Sequence, residues 1–148
     1  MSVTIAIVGN HDYCETNGLS RKFNEDCACF YEGVADPNCP FCAGKGAVQM
    51  TEYPFELNIC SDNFKTLWNS LALPFDWCGS IDSRLVLSAL RCFDEALVER
   101  STEQSGGNGK CLWFDAGISP ERAKRYIDSL TVIANEANRR EELICWNG

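Results

Sequence analysis

The sequence predicts an α+β fold in which a metal-pinned β-hairpin lobe packs with about three α-helices and a small antiparallel sheet. Three observations carry this expectation. Two close cysteine pairs, Cys27-x-Cys29 and Cys39-x-x-Cys42, lie in a turn-rich front half. From about residue 58 onward, apolar residues recur instead at helical spacing behind capping residues. Short β-forming runs stand near both ends of the chain. No repeat, low-complexity tract or long linker interrupts the chain. A single domain over residues 1–148 is therefore expected, with a β-rich metal-binding lobe over about 1–57 and a helical part over about 58–148.

The elements follow in order. Met1 to Val8 is a short, mostly apolar run that reads as a first strand, because no small-residue cleavage site follows it as it would a signal peptide. The next residues, Gly9-Asn10-His11-Asp12, read as a polar turn. β-formers cluster from about Ala28 to Val34 and from about Ala47 to Leu57, so the cysteines would pin the base of an antiparallel hairpin. After the strand-like Tyr53 to Ile59, Ser61 or Asp62 can cap a first helix. Its apolar face is Phe64, Leu67, Trp68 and Leu71, and Leu73-Pro74 ends it.

A loop from Phe75 to Gly79 leads to Ser80 or Asp82 as the second cap. Leu85, Val86, Ala89, Leu90, Phe93 and Leu97 then mark a face running to about Arg100. Ser105-Gly106-Gly107-Asn108-Gly109 reads as a loop and Lys110 to Asp115 as a short strand. The third helix has the clearest start, with Ser119 as cap, Pro120 in the first position and Glu121 in the first turn. Its buried stripe is expected to be Ala123, Tyr126, Ile127, Leu130, Ile133, Ala134 and Ala137. Leu143 to Trp146 should return to the core or sheet.

Composition excludes several classes. A chain of 148 residues, 45% hydrophobic with four Trp and eight Phe, should bury a sizeable core and is not expected to need a metal for want of one. No apolar run is long enough to span a bilayer. The net charge of −8 disfavours unassisted binding to a phosphate backbone. Ten cysteines force a choice of compartment, and the reading here is cytoplasmic, with thiols free or metal-bound. Cys60, Cys78, Cys92, Cys111 and Cys145, scattered among apolar residues, are expected to fill the core.

The candidate metal ligands are Cys27, Cys29, Cys39 and Cys42. Four thiolates from two close pairs suit the tetrahedron that zinc prefers, and Gly44 and Gly46 supply permissive backbone. Cys14, alone or with His11, stands near enough in sequence to replace one ligand. Iron in the same site is a further alternative. Four thiolates would close the coordination shell, so the Zn2+ is expected to be structural.

Cys39-Pro40-Phe41-Cys42-Ala43-Gly44-Lys45-Gly46 resembles one CxxCxGxG unit of the DnaJ chaperone zinc region, and the knuckle of zinc ribbons and rubredoxins. The resemblance covers these residues alone and implies a zinc-ribbon-like lobe rather than chaperone activity. Cys39-Pro40-Phe41-Cys42 is also similar to the dithiol of glutaredoxins, which a helix should follow directly; Ala43-Gly44-Lys45-Gly46 follows instead. Gly9-Asn10-His11-Asp12 resembles the GNHD signature of calcineurin-like metallophosphoesterases, whose two-metal centre needs several histidines. His11 is the only one in the chain. Residues of about 50 to 146 are similar to small phage- or prophage-encoded proteins, which would imply a bacterial host cytoplasm.

The expected function is a small, non-catalytic, zinc-binding protein that acts on a protein partner, with a phage-encoded modulator or inhibitor of a host defence protein as its sharpest form. A second reading is a ligand-binding protein or small enzyme with a pocket between the helices and the Ser105–Gly109 loop, lined by Trp113, Tyr126 or Trp77. A third is dithiol redox chemistry at Cys39 and Cys42.

Overall fold

The computed structural model describes residues 1–93 and 118–148. The predicted end of the second helix near Arg100, the Ser105–Gly109 loop, the Lys110–Asp115 strand, Cys111 and Trp113 lie outside the described residues. The described chain forms two compact units: Met1–Val8 with Phe55–Gly148, and Gly9–Pro54.

In the first unit, alternation decides which side of the sheet is buried. Strand β1 (Ser2–Ile7) buries Val3, Ile5 and Ile7 and leaves the residues between them on the opposite face. It pairs antiparallel with β4 (Glu56–Cys60) on one side and β6 (Leu143–Asn147) on the other, and β5 (Cys78–Asp82) extends the sheet to the order β4-β1-β6-β5. Leu57, Ile59, Ile81, Ile144 and Trp146 continue the apolar face. Against it pack α2 (Ser61–Ser70) and α4 (Pro120–Arg140), and α3 (Ser83–Cys92) packs on α4. The fold is α+β, as expected.

Helix ends follow local chemistry. Asp82 caps α3 by accepting from the Arg84 N–H at 2.8 Å, and Ser119 Oγ accepts from the Arg122 N–H at 3.3 Å with Pro120 behind it. The cap of α2 is Cys60, one residue before the predicted Ser61, and no side chain bonds there. The buried stripe of α4 contains the predicted residues except Tyr126, which is half-buried and whose hydroxyl accepts from Asn63 Nδ2 at 3.0 Å. Phe64, Trp68 and Trp146 form an aromatic centre, with ring centroids 4.8 Å apart for Phe64–Trp68 and 5.0 Å for Trp68–Trp146.

The second unit departs from expectation in three ways. Gly9-Asn10-His11-Asp12 is not a turn: Gly9, at φ 70°, redirects the chain into a short helix, α1 (Asn10–Thr16). The first hairpin strand is β2 (Arg21–Asp26), earlier than the predicted run at about Ala28–Val34, which forms turns instead. The predicted Ala47–Leu57 run divides into β3 (Ala47–Glu52) and β4, because Pro54 has no N–H to donate and Phe55 turns left-handed at φ 63°. β2 and β3 form a two-stranded antiparallel ribbon with Asp26 opposite Ala47.

The four described single cysteines are not core filler. Cys60, Cys78 and Cys92 are exposed and Cys145 is half-buried. The cause on the strands is period two: Cys60 and Cys145 sit next to buried Ile59 and Ile144 and so face the other way. The loop predicted up to Gly79 is strand β5 from Cys78, since Gly79 lets the Trp146 ring lie close; a Cβ there would stand 2.8 Å from Trp146 Cζ2. Among the described residues no helix is long and apolar enough to cross a membrane.

Candidate metal centre

The connection between β2 and β3 carries all four predicted ligands. Cys27 leaves β2 directly, its N–H donating to Gly46 O at 2.9 Å and so extending the ribbon by one bond. Tyr31 and Val34 then exchange backbone bonds of 3.0 and 2.9 Å around Glu32 and Gly33, whose φ values of 49° and 81° are those a type I′ turn requires. Asp36 opens a tighter turn: its carboxylate accepts from the Asn38 N–H at 2.9 Å and its carbonyl from the Cys39 N–H at 3.1 Å. A knuckle follows, with Ala43 N–H bonded to Cys39 O at 2.9 Å and Lys45 N–H to Cys42 O at 3.0 Å.

These turns bring Sγ of Cys27, Cys29, Cys39 and Cys42 within 4.8 Å of one another. Cys27 and Cys39 approach to 3.6 Å, Cys29 and Cys42 to 3.4 Å. A zinc ion with Zn–S bonds of about 2.3 Å needs S···S edges of roughly 3.8 Å, so the donor set fits a metal such as zinc in both chemistry and size. Cys27, Cys39 and Cys42 are buried and Cys29 is half-buried.

Backbone N–H groups aim at every sulfur. The N–H groups of Cys42 and Phe41 point at Cys39 and, against burial, hold its thiol below the usual value. At Cys42 burial opposes ionisation, but the N–H groups of Gly46 and Gly44 and the thiols of Cys29 and Cys27 outweigh it, bringing the pKa down to about 7. Cys27 and Cys29 behave oppositely. Each receives one N–H, from Cys29 and Asp36 respectively, yet burial and the neighbouring sulfurs raise both, Cys29 to about 12.

The site also accounts for the unit's core. Within Gly9–Pro54 the buried apolar residues are Cys14, Cys27, Cys39 and Cys42, while β2 is exposed along its length. Phe30, Tyr31, Val34 and Phe41 face solvent, Phe41 at 82% exposure. The sizeable core expected of the chain does not extend to this unit, whose buried apolar residues are cysteines.

The alternative ligands lie elsewhere. Cys14 is buried on α1 and its Sγ donates to Asn10 Oδ1 at 3.5 Å; His11 stacks on Tyr53 with ring centroids 3.9 Å apart. Neither belongs to the four-sulfur group. Of the residues proposed to line a pocket, Trp77 lies edge-on to Phe75 at 5.0 Å and Trp113 is outside the described residues. An open cavity of about 430 Å³ lies instead along Asp82, Arg84, Asn138, Glu141 and Glu142. There the Arg84 guanidinium holds Asp82 down to about 2.

Comparison of the chain with protein-family models, with curated proteins and with solved structures gives no match. The sequence spacing points to the four cysteines that the structure gathers but not to the Asp36 N–H that supports Cys29. Asp-Pro-Asn before a cysteine was the available signal, as a turn that turns donors inward.

Proposed function

We propose that this chain is a zinc-binding, non-catalytic protein whose Gly9–Pro54 unit is folded by the metal and recognises a protein partner. One observation carries the reading: the unit buries Cys14, Cys27, Cys39 and Cys42 and exposes Phe23, Phe30, Tyr31 and Phe41. A two-stranded ribbon is marginal alone in water, so the binding energy of the ion supplies the stability that an apolar core would otherwise give. Four thiolates leave no coordination position for substrate or activated water, which is the basis for reading the centre as structural. Tyr31, Val34 and Phe41, each close in sequence to a ligand, then form the surface offered to the partner. The reading as a phage-encoded modulator of a host defence protein rests on the loose resemblance of residues of about 50 to 146 alone.

The test is hydrogen exchange with native mass spectrometry on protein purified without added metal. One zinc per chain is expected, with protection in β2 and β3 lost on chelation while β1, β4 and β6 stay protected. A metal-free protein whose ribbon is protected would end the reading. A photo-crosslinking residue at position 41 should then capture a protein from the native cell only while zinc is bound.

A further inference from the structure

We propose that Cys29 is an oxidation site through which a two-electron oxidant of the peroxide class converts the tetrathiolate into two disulfides, Cys29–Cys42 and Cys27–Cys39, and expels the metal. The inference deepens the reading above and rests on zinc filling the site.

The fold supplies both access and pairing. Cys29 is half-buried, whereas the other three ligands are 4–7% exposed, so an oxidant in solvent meets its sulfur first. One backbone N–H points at Cys29, from Asp36, and one at the more buried Cys27, against two at Cys42 and two at Cys39. Fewer donors leave more electron density on the sulfur. Once Cys29 is oxidised, the sulfur that meets it in the fold is Cys42 at 3.4 Å, and the remaining pair, Cys27 and Cys39, stands at 3.6 Å. Each pair must close to about 2.05 Å to bond.

The chemistry balances. The Cys29 thiolate attacks one peroxide oxygen, forming an S–O bond as the O–O bond breaks, and the departing hydroxide takes a proton to become water. The Cys42 thiolate then attacks the Cys29 sulfur; the S–S bond forms, the S–O bond breaks and a second water leaves. A second peroxide does the same at Cys27 and Cys39. Four thiolates lose four electrons to two peroxides, four protons are consumed, and Zn2+ departs from sulfurs that no longer carry charge.

The test uses the full chain with exposed Cys60, Cys78 and Cys92 changed to Ser, loaded with one zinc and titrated with hydrogen peroxide. Released zinc is read with a colorimetric chelator, and disulfides are located by fragmenting non-reduced peptides between Cys27 and Cys29. One zinc should leave per two peroxides, Cys29 and Cys42 should lose alkylation first and together, and a dithiol reductant with zinc should restore the starting spectrum. Zinc retained past several equivalents of peroxide, or a Cys39–Cys42 disulfide formed within the knuckle, would overturn the proposal. Absence of zinc before oxidant is added would instead overturn the reading on which it stands.

Discussion

Asn10 Nδ2 donates to the carbonyl of Pro54 at 2.8 Å, tying together the two ends of the Gly9–Pro54 unit across 44 positions of sequence. The amide is 3% exposed and its oxygen accepts from buried Cys14 at 3.5 Å, so both ends of the side chain are engaged. Asn10→Ala removes the clasp and leaves the Pro54 carbonyl with only the weak, long Cys14 Sγ–H bond of 4.0 Å, at a cost of about 1 kcal/mol. On the proposal that zinc folds this unit, the apparent zinc affinity should fall by roughly fivefold, as read by chelator competition. An unchanged affinity would show that the clasp is not part of the coupled unit.

Glycine at position 46 is required twice over. Its φ is 75°, and a Cβ there would stand 2.7 Å from Phe30 Cδ2 and 3.3 Å from Ala35 Cβ, while its N–H serves Cys42. Gly18 has a similar φ of 65° with nothing within 4 Å. Gly18→Ala should therefore cost only the left-handed backbone term of about 1–2 kcal/mol, and Gly46→Ala clearly more. Chelator competition on the two variants checks the order. Equal losses would mean that Phe30 moves aside freely.

The difference between the two units explains what was legible in the sequence. The helices of the first unit were readable because Ser119-Pro120-Glu121 and the stripe from Ala123 to Ala137 report helical period and capping within a few residues. The four-cysteine cluster was readable because close pairs at Cys27/Cys29 and Cys39/Cys42 keep the sulfurs near one another. Strand β2 was not: Arg21-Lys22-Phe23-Asn24-Glu25-Asp26 buries nothing, so no alternation marks it, and only pairing with β3 makes it a strand. Helix α1 was hidden by its length and its polar start. Cys60 and Cys145 were misjudged because apolar neighbours in sequence are opposite faces in a strand.

The chain enters the second unit after β1 and returns into β4, and those strands are themselves hydrogen-bonded neighbours, with Ala6 opposite Glu56. The second unit thus stands where a hairpin turn would suffice. Replacing residues 8–54 by Asn-Gly puts a two-residue turn of the favoured kind between Ile7 and Phe55. The shortened protein should keep the sheet and the Phe64–Trp68–Trp146 cluster, seen as a near-ultraviolet dichroism spectrum and a cooperative melt. A chain that neither melts cooperatively nor shows tryptophan dichroism would mean that the first unit depends on the Gly9–Pro54 one.

Acid should act on the first unit through Glu136. Its side chain is 15% exposed and is held by Arg139 and by Arg140, which approaches Glu136 Oε1 to 2.8 Å; hydrogen bonding from Arg139 outweighs burial and lowers the carboxyl to about 2. A carboxylate with a depressed folded-state pKa stabilises above its unfolded value, near 4.3, and loses that contribution as pH falls towards 2. Arg139 is 62% exposed, so solvent screening reduces the contribution to roughly 1 kcal/mol. Glu136→Gln should therefore lower the melting temperature of the first unit by several degrees at pH 7, and the gap from wild type should close as pH falls from about 4 to 2. A gap that stays constant across that range would place the effect in packing of the α4 terminus, where the Arg140 guanidinium lies 5.0 Å over the Phe55 ring, rather than in the ion pair.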